Sequence, residues 1–192
     1  MIKTIAYSLN EPDNDSYLNS DLWGKNICEC LEYVRNREKY ITSDFKIKKA
    51  NFDFSNTYDG ATIVSEKFKK FCKENNLKGL EFYPLISNKK LFLFKSSNIV
   101  AFDSERRKTK FVDYNKECSE FNEVAGANPV CLIQANEIRS GIFRTDIEFS
   151  GGYAKHPLII VGTETYTKMQ EINFTGLYAE KILNKYDWEE KH

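Results

Sequence analysis

Few side chains in this sequence could do chemistry, and their spacing limits what that chemistry would be. Only two histidines occur, His156 and His192. His156 stands in AKHPL, just before a proline and an apolar run. A general base needs a carboxylate that orients its ring. None lies at a suitable spacing, so His156 reads more simply as a turn residue. His192 is the final residue. Arg144, in GIFRTD, has Asp146 two positions on and so on the same face of a strand. That pair reads as a solvated or structural salt bridge, with a phosphate or partner contact as the functional alternative. Arg144, Tyr153 and His156 are the candidate polar groups if a small-molecule pocket exists. Asp103, Glu105, Arg106 and Arg107 form a mixed-charge turn that reads as a solvated tip.

The cysteines suggest no metal or redox centre. They stand at positions 28, 30, 72, 118 and 131, an odd number at irregular spacing and a poor disulfide framework. Cys28 and Cys30 are one residue apart, neither a redox CxxC nor a usual zinc pair. Reduced, mostly buried thiols are the expectation. The familiar patterns of hydrolases, zinc peptidases, dinucleotide folds, P-loops and zinc deaminases are absent. No catalytic residue, metal ligand or cofactor is expected.

Composition excludes further classes. Lysine plus arginine and aspartate plus glutamate number 28 each, so the formal net charge is zero. Neither a nucleic-acid partner nor a strongly basic one is advertised. Arg35 to Lys49 is basic with Tyr33, Tyr40 and Phe45 nearby, but Glu32, Glu38 and Asp44 dilute it. No apolar run approaches the roughly 20 residues of a membrane span, and MIKTIAYSLNEPDND is no signal peptide. A cytoplasmic protein is expected. The 192 residues suit one domain, and 14% aromatics favour a sheet.

The elements that would position these residues are dominated by a repeat. Residues 63–82 and 160–179 align without a gap at an offset of 97. Ile63 matches Ile160, Val64 matches Val161, and Asn76, Gly79 and Leu80 match Asn173, Gly176 and Leu177. Val64, Phe68, Phe71 and Cys72 fall on one helical face; the second copy keeps Val161, Met169 and Ile172. Ser65 is a good N-cap, with Thr163 in the corresponding role. Each asparagine suits the left-handed position past a helix end, and each glycine a turn into the next strand. Each copy thus reads as helix, left-handed stop, glycine, strand.

Around the copies, Ile2–Leu9 reads as a strand and Ser20–Arg37 as a helix weakened by Gly24. Lys39–Asp53 reads as an edge strand or a loop on the core. Strands are expected at 80–85, 91–94, 99–102, 111–114, 130–134 and 142–149, with 116–128 as loop and a last helical turn in the tail. The fold class is α+β, a mainly antiparallel meander with the helices on one face, built around two similar helix–strand units. Tyr186 and Trp188 among Asp187, Glu189 and Glu190 read either as a contact patch or as packing on the core.

VSEKFKKF and NLKGLEFYPL, then NIVAFD, IFR and a late NFTGLYA, resemble the immunity proteins of bacterial polymorphic toxin systems. The resemblance spans about Ile63 to Ala179 and rests on short motifs. NIVAFD lacks the cysteine or leucine expected beside its aspartate, and the second unit has GTE where a serine or aspartate cap is usual. What the resemblance implies is a cytoplasmic, non-enzymatic protector that occludes a cognate toxin domain. Immunity proteins against nucleases are often strongly acidic. Zero net charge therefore points away from a basic nuclease, or to a local patch built from Glu11, Asp13, Asp15 and Asp21 or from the tail. The rival class is a small enzyme or ligand-binding domain with its pocket near Arg144, Tyr153 and His156. A third, a structural module, would show a large exposed apolar patch.

Overall fold

The computed structural model describes residues 1–188; His192, Glu189 and Glu190 lie outside them. The chain runs β1 (Thr4–Asn10), α1 (Ile27–Arg35), β2 (Phe54–Asn56), β3 (Thr62–Ser65), α2 (Glu66–Glu74), β4 (Leu80–Pro84) and β5 (Leu91–Ser96). It continues with β6 (Ile99–Val100), α3 (Ser104–Arg107), β7 (Lys110–Asn115), β8 (Glu120–Ala125), β9 (Ile142–Gly151), β10 (His156–Val161), α4 (Thr163–Ile172) and β11 (Tyr178–Leu183). This is an α+β fold with mainly antiparallel sheets. One sheet has the order β2-β3-β5-β4; the other has β11-β1-β10-β9-β8-β7, with β6 parallel on β9.

The two sheets share a four-stranded plan. In the smaller one, β5 lies between β3 and β4 and is antiparallel to both. In the larger one, β1 lies between β10 and β11 and is antiparallel to both. Even the registers agree. Val64 pairs with Phe92 as Val161 pairs with Tyr7, and Phe82 pairs with Phe94 as Ala179 pairs with Leu9. Outside them, Phe54 of β2 pairs with Val64 as Ile142 of β9 pairs with Val161. The strand that follows β4 in one unit therefore comes from the N-terminal end of the chain in the other. The second unit is a circular permutation of the first.

Local chemistry explains the matched helices. Ser65 caps α2 by accepting the Phe68 amide at 3.2 Å. Asn76 and Asn173 both take positive φ, 52° and 54°, as do Gly79 and Gly176 at 70° and 76°. A side chain at Gly176 would meet the Phe54 carbonyl oxygen at 2.4 Å. The α4 cap is Gly162, not Thr163, and it supplies no side-chain bond. A Cβ there would stand 2.7 Å from the Arg139 backbone, so that approach excludes a serine or aspartate cap.

Both helices bury into one core. Phe68, Phe71 and Cys72 of α2 and Met169 of α4 join Leu9, Phe54, Phe94, Ile142 and Val161. Phe174, just past α4, packs edge-on against Phe68 and Phe71. Ile172 points outward instead, at 42% exposure.

Several elements differ from the sequence reading. Gly24 (φ 76°) breaks the first helix, and Asn26 restarts it with a reciprocal cap to Glu29. Residues 116–128 contain β8, which completes a hairpin with β7. Residues 130–134 make a single bridge, Phe102 to Leu132, rather than a strand. The 39–53 segment is a 3-10 turn and loop whose Phe45 is buried. As the second copy predicts, a strand follows Gly176: residues 178–183 pair along the open edge of β1. Cys28 and Cys118 form a disulfide across 90 residues of sequence, where thiols were expected. α1 packs against β8 and brings them together. Cys30, Cys72 and Cys131 are buried and lie outside this disulfide.

Candidate interaction surfaces

Arg144, Tyr153 and His156 do not meet in one concavity. Arg144 on β9 lines two cavities of about 200 and 390 Å³, together with Arg35 and Glu148. Its guanidinium donates to the Thr145 carbonyl at 3.2 Å. No ion pair joins it to Asp146 among the described residues. Asp146 accepts the Phe102 amide at 2.8 Å instead and so holds β6 beside β9. Burial raises the Glu148 carboxyl, while Arg37, Arg144 and Lys155 oppose the shift.

Tyr153 and His156 lie elsewhere. The Tyr153 ring is 6.5 Å from the Tyr17 ring, and its carbonyl accepts from Arg37 at 3.3 Å. His156 lines a separate cavity of about 260 Å³ with Glu11 and Asp13. Its Nδ1 is 2.8 Å from the Ala154 carbonyl oxygen, which can only accept, so Nδ1 carries a proton. Burial lowers its pKa. In the same cavity burial pushes Glu11 up to about 7.

Much of the basic stretch from Arg35 to Lys49 is engaged within the fold, Lys46 and Lys48 remaining at the surface. Arg37 is buried and donates to the carbonyls of Val34 and Asp59, both at 3.0 Å. Asp59 is fully buried and accepts the amides of Leu18 and Asn19 and the Tyr33 hydroxyl. Lys39 pairs with Glu32 at 2.8 Å and Lys95 with Glu38 at 3.0 Å. This network ties α1 to the turn at 57–60 and the segment at 152–155. The N-terminal acids are likewise engaged in part. Lys49 lies 2.8 Å from Asp15 and holds its carboxyl below the usual range. In the tail, the Tyr186 hydroxyl donates to the Val130 carbonyl at 2.8 Å and its ring stacks on Trp188. Tyr186 therefore packs on the core.

A wider concavity is an open groove of about 900 Å³ along α2 and the edge strand β4. Lys67, Lys69, Lys70, Lys73 and Lys78 line it with one acid, Glu66, and Leu77, Phe82 and Phe92 form its floor. Lys69 Nζ sits 4.1 Å from the Phe92 ring centre. Lys70 approaches Glu74 at 3.7 Å, both side chains being well exposed. Lys67 reaches Asp53 at 3.4 Å. No ion pair engages Lys69, Lys73 or Lys78 among the described residues. Reading the sequence for catalytic groups missed this groove. The signal was in the aligned copies: the lysine positions 67, 69, 70, 73 and 78 face Glu164, Tyr166, Thr167, Gln170 and Thr175.

Comparison with protein-family models and with curated proteins finds no match.

Proposed function

We propose that this protein binds a cognate toxin domain and neutralises it by occlusion, without catalysis of its own, as an immunity protein of a bacterial polymorphic toxin system. The observation that carries this reading is the contrast between concavities. One is an open, charged groove of about 900 Å³ on a helix and an edge strand, suited to a protein surface. Of the candidate polar groups of a small-molecule pocket, Arg144 and His156 line separate, smaller cavities and Tyr153 lines neither. The motifs resembling immunity proteins supply the kind of partner. The partner in this reading is a protein, neither nucleic acid nor membrane. No helix of the described residues is long and apolar enough to cross a membrane.

A cytoplasmic seat is part of the proposal. The Cys28–Cys118 bond constrains it most, since cytosolic thiol buffers keep most such pairs reduced. Co-expression tests the function. Cells that make the toxin domain encoded beside this gene should grow only when this protein is made too. Equal growth arrest with and without it would remove the reading.

A second reading, a small-ligand site, draws on Arg144 and Glu148 facing shared cavities. Saturable binding of inorganic phosphate that Arg144→Ala abolishes, in a protein that gives no toxin protection, would favour it.

A further inference from the structure

We infer that the groove along α2 seats an acidic segment of the partner protein, one that carries carboxylates for the lysine row and an apolar side chain for the floor. The inference rests on the reading that this protein binds a protein partner, and it names the chemistry of that partner's surface.

Three observations carry it. First, the charge is local. The chain is neutral as a whole, yet the groove's lining has an excess of four positive charges, and only two of its lysines, Lys67 and Lys70, reach acids beside it among the described residues. Second, the fold does not require those charges. α4 occupies the same place over the matched sheet with Glu164, Tyr166, Thr167, Gln170 and Thr175 at the five lysine positions. One scaffold is built twice, and the lysines appear once. Third, the row works against the helix that bears it. Lys67 and Lys70, Lys70 and Lys73, and Lys69 and Lys73 are three or four residues apart. Such like-charged neighbours disfavour a helix, and within α2 only the Lys70–Glu74 pair offsets them among the described residues. Lys67, Lys69 and Lys70 also crowd the N-terminal half, where the helix dipole disfavours cations. Docked carboxylates would relieve both penalties and speed encounter.

The groove fits an acidic protein better than a polyphosphate chain. The Phe92 ring is 6% exposed and lies under the Lys69 ammonium, so that ring offers no open face to a base, and Phe82 is the one partly open ring of the lining. Glu66 and Glu74 interrupt the row, and no arginine lines it. Leu77 and Phe82 remain partly open for an apolar anchor.

The test has two arms. In the first, the isotope-labelled protein is titrated with a short peptide of glutamate and leucine, and separately with oligothymidylate of equal charge. Saturable amide shifts confined to residues of α2 and β4 with the peptide are expected. No shifts there, or shifts with the oligonucleotide only, overturn the inference, the latter in favour of a nucleic-acid groove. In the second arm, Lys69→Tyr, Lys70→Thr and Lys73→Gln are combined, which grafts in the residues of the other unit. Affinity for the toxin domain encoded beside this gene should fall about a hundredfold, with the melting curve preserved. Unchanged affinity overturns the inference while the immunity reading stands. Peptide binding in the groove with no toxin binding by the unmodified protein leaves the groove assignment standing and removes the toxin.

Discussion

Lys69 and Tyr166 hold the same position over matched sheets, yet they do different things there. Lys69 sets its ammonium 4.1 Å from the centre of Phe92, whereas Tyr166 stacks on Tyr7 at 4.0 Å between ring centres. Phe92 and Tyr7 are themselves equivalent, since each pairs with the matched valine, Val64 or Val161. The Tyr pair shows what this site favours for packing alone. Lys69→Tyr should therefore keep the fold and raise or preserve the melting temperature, because aromatic pairs contribute about 0.5–1.5 kcal/mol beyond area. A clear drop in thermal denaturation would show that the ammonium has a structural task.

The left-handed glycines separate two kinds of cost. Gly176 and Gly24 both have φ of 76°, but only Gly176 has backbone against the place of a Cβ. Gly24→Ala should cost about 1 kcal/mol, from conformation alone. Gly176→Ala should cost about 2–4 kcal/mol, since β2 must also move away from the loop. Urea denaturation of the two variants measures the difference, and equal costs would contradict it.

The disulfide joins α1 to the turn of the β7–β8 hairpin. Its removal by Cys28→Ser with Cys118→Ser should lower stability by about 2–4 kcal/mol. Alkylation before and after reduction should add two labels per chain on unfolding in denaturant, with Cys30, Cys72 and Cys131 reacting in both cases. An unchanged denaturation midpoint in reductant would mean that packing alone holds α1 in place.

Glu11 gives a pH signature. Burial raises its pKa from 4.5 to about 7, opposed by a hydrogen bond from Thr62 at 3.4 Å. The folded state then holds this proton more tightly than the unfolded chain. Its contribution is full below pH 4.5 and is lost as pH rises through about 7. Glu11→Gln should flatten that slope and add about 1–2 kcal/mol near neutral pH and above. A steeper loss of stability on the alkaline side in the variant would reverse the assignment.

The parts of this fold that were legible in the sequence are those set by local rules. Asn76 and Gly79, and Asn173 and Gly176, mark positive φ within a few residues of a helix end, so the aligned copies reveal helix ends and turns. The Phe68, Phe71 and Cys72 face shows as helical periodicity and is buried. What was hidden depends on distant pairing. β1 completes the second unit from more than 150 residues away, at Tyr7 opposite Val161, and no local pattern announces that. The Cys28–Cys118 bond follows only once α1 lies on β8. The second cap was misread because the Arg139 backbone, not helix propensity, decides what fits at Gly162. The Arg144, Tyr153 and His156 set shows the same limit: their closeness in sequence did not fix where β9, the turn and β10 would point them. The lysine groove was visible only as a difference between copies, not as a motif.

Isothermal titration of the purified protein with any toxin domain encoded beside its gene tests the central claim most directly. The expected result is a stoichiometric complex whose affinity weakens as salt rises, because exposed lysines contribute to it. Absence of heat and of complex at micromolar concentrations, in low and high salt alike, would contradict the claim that this protein works by occluding a toxin.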